Sequence, residues 1–299
     1  MEKLLNILNG TLLGDACILF DNYKYKKYFV YKITAKGQIF LFWLNFIFKT
    51  FQINNSWITE DKRNNNFSLC FYINNCKYSE LMKLREKWYI EKHGKYAQKI
   101  IPRDLQLNST VLLYWYLGDG SLIRRKNNSV NVPYIVLATN AFSKEDIDFL
   151  IQKLKELNLN FYPVKYKSGF TKKESGYCLY SKTQDGTPFR FFKLIGLECP
   201  KEIANCSTGR KGIYHEEKFF KDKWPTEKDW IKILSNVKGI GKSIKERREQ
   251  INMSRKELTK LLKVGKSYIR SIESGNRNPS VNKLRAILKT LDLNNLKIS

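Results

Sequence analysis

The sequence predicts an α+β protein in which one helix-and-strand unit occurs twice and is followed by a small all-helical module. Three observations predict it. Two apolar runs, LNGTLLGDACI (Leu8 to Ile18) and LLYWYLGDGSL (Leu112 to Leu122), each end in Gly-Asp and a small residue. The elements after the two runs recur in the same order, with about 104 residues from one acid to the other, the mark of a duplicated unit. Beyond residue 241 the chain becomes a basic stretch with apolar residues at the spacing of several short helices.

Taken in order, Leu4, Leu5, Leu8 and Leu12 form one stripe at helical spacing. The corresponding VLLYWYL (111–117) is apolar on all sides, which fits a helix buried all round or a buried strand. The first half continues with a strand, YFVYKIT, and a helix with Leu41, Leu44, Ile47, Phe48 and Phe51 on its stripe. Two strands, WITEDKR and FSLCFYI, and a short helix, YSELMKLREKWY, follow. The second half continues with PYIVLAT as strand and SKEDIDFLIQKLKELNL as helix, Ser143 and Asp146 forming a capping box. Strands FYPVKYK and GYCLYSK and the short helix TPFRFFKLIGL complete it. Each half closes near a proline, KIIPRDL at Pro102 and ECPKEI at Pro200. The resulting units are 1–105, 106–221, a charged linker over 222–240, and a module over 241–299.

The net charge of +26 and the pI of about 9.7 point to a polyanionic partner, nucleic acid first. Six scattered cysteines include no CxxC pair, which argues against a zinc ribbon or a disulfide framework. His93 and His215 are the only histidines, which excludes chemistries built on several imidazoles. No signal peptide is expected, and FLFWLNFIFKTF (40–51) is interrupted and too short to span a bilayer.

If the first helices of the two halves meet at a pseudo-twofold axis, small residues are needed where they touch. Gly10, Gly14 and Gly118 supply them, while Tyr114 stands where another small residue is expected. Asp15 and Asp119 would then emerge side by side. Paired carboxylates repel unless cations lie between them, and oxygen-only ligands suit Mg²⁺ or Mn²⁺. Two such ions clamp the attacking and leaving oxygens of phosphodiester hydrolysis.

LNGTLLGDA and LLYWYLGDG resemble the paired LAGLIDADG motifs of homing endonucleases. YWYLGDG, IVLATNAFSKEDIDFLIQKLKEL, and KIIPRDL ahead of the second motif are similar to the single-chain branch, over roughly residues 4–220. The resemblance implies two pseudo-symmetric αββαββα repeats forming a DNA-binding saddle, and site-specific cleavage of double-stranded DNA. It implies that Asp15 and Asp119 bind the metals, that the carbonyls of Gly14 and Gly118 add oxygen ligands, and that Lys99, three residues before Pro102, polarises water or stabilises charge. The second half departs from this pattern. Leu197 stands three residues before Pro200 and the nearest basic residue is Lys201, so the identity of a symmetric second basic residue stays open, with unequal cutting of the two strands as a consequence if it is missing. Basic runs after the motifs, with Lys24, Lys26 and Lys27 in the first half and Arg124, Arg125 and Lys126 in the second, are placed in loops near the acids, facing phosphates or base edges. Lys165 and Lys167 are further DNA contacts expected on the second sheet.

The module resembles the Cro/repressor-type helix-turn-helix, with SRKELTKLLKVGKSYIRSIESG as its core. Its core residues are Ile244 and Ile251, Leu258, Leu261 and Leu262, Ile269 and Ile272, then Leu284, Ile287 and Leu288. Lys263 falls where a left-handed glycine is common. The resemblance implies that Lys266, Ser267 and Ser271 face bases and that Arg255 meets phosphate or a base edge. Two alternatives stay open: a non-cleaving transcription regulator with a LAGLIDADG body, and an intron RNA maturase. A monomer without an obligate protein partner or membrane is expected. It would work inside the cell with the DNA of a prokaryote or virus, an organelle being a further setting.

Overall fold

The computed structural model describes residues 2–23, 26–35, 38–53, 55–61, 66–71, 78–91, 97–124, 132–167, 174–201, 220–236, 239–277 and 279–292. The first repeat runs α1 (Glu2–Leu13), β1 (Ala16–Tyr23), β2 (Lys26–Ala35), α2 (Gln38–Thr50), β3 (Ser56–Asp61), β4 (Asn66–Phe71) and α3 (Tyr78–Trp88). A short hairpin, β5 (Tyr89–Ile90) and β6 (Gln98–Lys99), leads to the second. There the order is α4 (Ser109–Asp119), β7 (Gly120–Ile123), β8 (Tyr134–Ala138), α5 (Lys144–Glu156), β9 (Phe161–Lys167), β10 (Glu174–Ser181) and α6 (Thr187–Ile195). The two antiparallel sheets have matching strand orders, β1-β2-β4-β3 and β7-β8-β10-β9. The duplication predicted from the order of elements is therefore real down to sheet topology.

The ambiguous run at 111–117 is helix. Asn108 caps it by accepting the Val111 N–H, and the helix is apolar all round because it is covered from several sides. One side packs on α1, where a Cβ on Gly10 would lie 2.6 Å from the Val111 carbonyl oxygen and 2.8 Å from Tyr114 Cβ. The missing side chain at Gly10 is what lets a tyrosine stand at the seam, where it also stacks on Trp43 at 5.3 Å. The other side meets an aromatic cluster in which Tyr116 contacts Phe191, Phe192 and Trp224 edge-on. One continuous core joins both repeats. Ser143 caps α5, but only half of the expected box forms: Asp146 turns its carboxylate to Arg103 at 3.0 Å instead.

β1 is the strand that the αββαββα order implies and that the residue pattern does not locate. Ala16 and Ile18 are buried while Cys17 and Leu19 are not, the alternation of a strand with one covered face. This corrects the placement of the first basic run. Lys26 and Lys27 lie in β2 opposite Tyr23 and Asn22, at the far end of β1 from Asp15, roughly 20 Å away along the strand rather than in a loop beside the acid.

The linker over 222–240, a charged connector with some helix in the sequence, carries that helix as α7 (Glu227–Ser235), with a complete capping box between Thr226 and Asp229. The module follows as α8 (Ile240–Gln250), α9 (Arg255–Leu261), α10 (Lys266–Glu273) and α11 (Val281–Leu291). Its core takes in Ile244, Leu258, Leu262, Ile269, Ile272, Leu284, Ile287 and Leu288, together with Ile231 and Leu234 of α7 and Phe189 of α6. The helical module is thus docked on the second repeat through α7. Leu261, expected in that core, is instead 61% exposed at the end of α9. Lys263 does adopt a positive φ of 48° in the turn before α10, and Gly275 at φ 76° closes that helix.

Candidate nuclease centre

Helices α1 and α4 end together, and each hands its chain straight into a strand, so the last residue of each apolar run is delivered to the seam. There the carboxyls of Asp15 and Asp119 meet within hydrogen-bonding reach of one another. A Cβ on Gly14 would lie 3.6 Å from the Asp119 carboxyl, and one on Gly118 would lie 4.0 Å from Gly14 Cα, which shows how closely the backbones cross. Asp15 is exposed and Asp119 half-buried, so the pair is reachable from outside. Crowding by protein atoms pushes both carboxyls above their ordinary range. Asp119, which also feels the Asp15 charge, is raised to about 7.

Two lysines flank the pair in equivalent ways. Lys99 Nζ donates to the carbonyls of Gly14 at 3.1 Å and Ala16 at 2.9 Å, the residues on either side of Asp15. Lys223 Nζ donates to Gly118 at 3.3 Å and Gly120 at 2.8 Å, the residues on either side of Asp119, and to Tyr116 and Leu117 as well. Burial lowers both ammonium groups to about 8, opposed by the two carboxylates. Each ammonium lies among aromatic rings: Lys99 at 5.9 Å from Trp88 and 5.6 Å from Phe142, Lys223 at 5.8 Å from both Tyr116 and Phe220.

Lys223 fills the place the sequence reading left open. Pro200 is not the counterpart of Pro102 at this site: the equivalent lysine stands two residues before Pro225, in KWP. The KWP pattern is the signal for it, set in a stretch whose composition is that of a connector.

Arg124, expected near phosphates or base edges, donates from Nε to Asp229 at 2.9 Å, from Nη1 to the Asp222 carbonyl at 2.7 Å and from Nη2 to the Trp224 carbonyl at 2.8 Å. All three guanidinium nitrogens are engaged on the segment that runs from Asp222 through Lys223 to Asp229, while the residue itself stays at the surface.

Among the other expected DNA contacts, Lys24, Arg125 and Lys126 lie outside the described residues, as do the side chains of Lys26, Lys27, Lys167 and Lys266. Lys165 is exposed but pairs with Tyr177, which packs on the core, so it sits on the strand row opposite to the outer face. That outer face carries a cross-strand ladder of tyrosines, Tyr134, Tyr180 and Tyr162, at 5.6 Å and 6.1 Å between rings. On the first sheet the matching row holds Lys32, Thr34, Thr59 and Trp57. In the module, Ser267 is exposed in the first turn of α10, while Ser271 is half-buried and donates to the Tyr268 carbonyl. Arg255 is drawn to Glu273 at 2.6 Å, which also receives the buried Arg248.

Residues 5–189 match the LAGLIDADG DNA endonuclease family. The chain belongs to this family. Residues 244–294 match a helix-turn-helix family. A curated relative, the uncharacterized protein MJ1098 of Methanocaldococcus jannaschii, is 30% identical over 168 residues, which is 52% of this chain and 57% of that protein. The chain therefore spans little more than half the length of that relative. Among solved structures, the homing endonuclease I-WcaI bound to its DNA recognition sequence is 20% identical, with a TM-score of 0.47 over 65% of this chain and 81% of that one. I-SmaMI bound to an uncleaved DNA target with calcium ions is 11% identical, with a TM-score of 0.41 over 90% of this chain and 97% of that one. I-DmoI in complex with DNA and calcium is 15% identical, with a TM-score of 0.41 over 68% of this chain and 96% of that one.

The donor set at the LAGLIDADG seam suits a hard divalent cation. Among the described residues no cluster of three or more His, Cys, Asp or Glu side chains occurs, so an ion there would rest on the two carboxylates, backbone oxygens and water. Two acids raised by burial, Asp119 also by the charge of Asp15, are what a cation would relieve. The carbonyls of Gly14 and Gly118, expected as extra ligands, already accept a hydrogen bond from a lysine each. Among the described residues no helix is long and apolar enough to cross a membrane.

Proposed function

We propose that this chain is a site-specific endonuclease that hydrolyses both strands of duplex DNA with Mg²⁺ or Mn²⁺ held by Asp15 and Asp119. The observation that carries this reading is the contact between two acids from separate repeats at one open seam, each with a buried lysine on the carbonyls beside it. The divalent ion supplies the polarisation of a phosphate oxygen and of water. The protein supplies the rest. Asp15 and Asp119 share one position between the two strands, so each can serve both cuts. Lys99 and Lys223 place positive charge on opposite sides of the pair, where charge builds on the phosphate as the bond breaks.

The two four-stranded sheets present their outer faces to the major groove, the first with Lys32 and threonines, the second with its tyrosine ladder. The helix-turn-helix adds affinity beside the cleavage site, α10 entering the groove with Lys266 and Ser267 at its start. Because one chain supplies both acids and both lysines, a monomer suffices. The protein would act wherever its DNA lies inside the cell.

The test is cleavage of a plasmid library carrying randomised duplex sites, with Mg²⁺ and with EDTA. Linear product that appears only with metal and disappears in Asp15→Asn and Asp119→Asn is expected. Tight duplex binding with neither nicks nor breaks at any site would remove the nuclease reading and leave a DNA-binding regulator.

A further inference from the structure

Lys223 sits on a piece of chain with no sheet of its own. Its backbone is nonetheless held at three successive carbonyls. Arg124 donates to those of Asp222 at 2.7 Å and Trp224 at 2.8 Å, and the Tyr116 hydroxyl donates to that of Lys223 itself. The third guanidinium nitrogen is anchored on Asp229, whose side chain is 9% exposed. Asp229 is in turn fixed by the amide and hydroxyl of Thr226, the N-cap of α7, both of which donate to its carboxylate. A planar guanidinium with its donors in a rigid fork is suited to bridging two carbonyls and a carboxylate at once, which a lysine ammonium does not do in the same geometry.

We propose that Arg124 is a positioning residue: it straps the segment Asp222–Trp224 against the second motif so that the Lys223 ammonium is held beside Asp119, and Asp229 is the anchor of the strap. The proposal rests on the nuclease reading above. It assigns Arg124 to the reaction through Lys223, with no contact to DNA. Since Lys99 reaches the pair from the opposite repeat, losing the strap slows one strand's cut and spares the other. A displacement of about an ångström at a reacting group is enough to slow chemistry by up to roughly a hundredfold.

The test uses the full chain and one duplex selected by the wild type from the randomised library, each strand carrying its own label, under single turnover with Mg²⁺. Arg124→Met is expected to slow one strand by about tenfold or more and the other by less than about twofold, so that nicked circles accumulate. Duplex affinity measured in Ca²⁺ is expected to stay within about threefold, since no DNA contact is lost. Arg124→Lys and Asp229→Asn are expected to give the same strand bias in weaker form. Hydrogen exchange on the DNA-free protein supplies a readout independent of cleavage: protection falls over residues 220–226 and is unchanged in α8–α11.

Equal slowing of both strands, or exchange that rises throughout the chain, would show Arg124 to be a general stability residue and overturn the proposal. So would a large drop in affinity with bound complexes cleaving normally, which would return Arg124 to the DNA. If Arg124→Met does not fold, Asp229→Asn, which keeps size and capping ability, decides between these outcomes. A wild type that cuts no member of the library removes the nuclease reading, while the exchange measurement still judges the strap.

Discussion

Lys99 and Lys223 reach the same two acids, but they are held there by different means. Lys99 ends a hairpin: it pairs with Tyr89 across β5 and β6, and the next amide, Ile100, donates to the Trp88 carbonyl at 2.8 Å. Its position follows from main-chain bonds to residues about ten places earlier. Lys223 has no strand ladder. Beside the turn bonds of its own segment, the Lys223 N–H to the Phe220 carbonyl and the Trp224 N–H to that of Lys221, both at 3.1 Å, it is held by Arg124, about 100 residues away, and by Tyr116, further still. Two halves with matching sheets thus close the same site once by local backbone pairing and once by a long-range side-chain strap. A repeated fold conserves where a group must be, and leaves open what holds it.

The comparison presupposes that the acids are shared and the lysines are not. Asp15→Asn or Asp119→Asn should therefore lower the cleavage of both strands together, by on the order of 10³-fold, with binding kept. An effect confined to one strand would break the symmetry on which the comparison is built. The same substitution has a second readout. Asp119 is buried beside the charge of Asp15 and raised to about 7, so a neutral amide at 119 should raise the melting temperature of the metal-free protein by about 2 °C.

Lys99→Met and Lys223→Met come next in size. Each should cost about a hundredfold on one strand, and the strands should be opposite. If both lysines governed the same strand, the equivalence of Gly14 and Ala16 with Gly118 and Gly120 would be one of shape only.

How much of this could be read beforehand follows the same division. The apolar runs, their closing acids and the glycine at position 10 are local patterns, and each is found where its pattern put it. Lys99 was legible because its proline lies three residues away in a segment that resembles the family. Lys223 and Arg124 were not, because what defines them is contact between residues about a hundred apart, and the local sequence around each reads as solvated basic loop. β1 was hidden by Asp21 and Asn22, which interrupt its apolar alternation near the outer end. Leu261 was misplaced because helical spacing alone does not say where a short helix runs out of neighbours.

The strap also links the nuclease centre to the module, and this gives a third, smaller effect. Arg124 is anchored on α7, whose Ile231 and Leu234 complete the module's core. Within that core Glu273 joins Arg248 at 2.7 Å, both nearly buried. Burial raises the Glu273 carboxyl, and hydrogen bonds from Arg248 and Arg255 more than reverse this, so it lies below its usual range. The pair's contribution is therefore present above the unfolded value near 4.5 and is lost as pH falls through the lower folded value. Glu273→Gln should weaken the module by about 3 kcal/mol, seen as an earlier calorimetric transition, because it takes the buried partner from a guanidinium that keeps only the exposed Glu249 at 3.2 Å. At a temperature where only the module has melted, the Lys223 strand should slow by about threefold, while the Lys99 strand keeps its rate. Equal slowing would mean that the module acts on binding alone.

The smallest effect is the sharpest check, because it asks whether any arginine near a catalytic loop would behave as Arg124 does. Arg103 follows Pro102 in the loop after Lys99 and pairs with the buried Asp146 at 3.0 Å, its guanidinium 5.1 Å from the Phe149 ring. It looks like the counterpart of Arg124, but it ties the loop to α5 and touches no carbonyl beside Lys99 in these contacts. One Asp146 oxygen is buried without any partner, so removing the arginine leaves a poorly satisfied acid. Arg103→Met should therefore destabilise the fold by about 1–3 kcal/mol in a denaturant titration. The β5–β6 pairing nevertheless keeps Lys99 in register, and single-turnover cleavage of its strand should change by less than about twofold below the melting range. If Arg103→Met produced a strand bias as large as that of Arg124→Met, backbone pairing would not be what holds Lys99, and the contrast between the two arms would reduce to a difference in loop length.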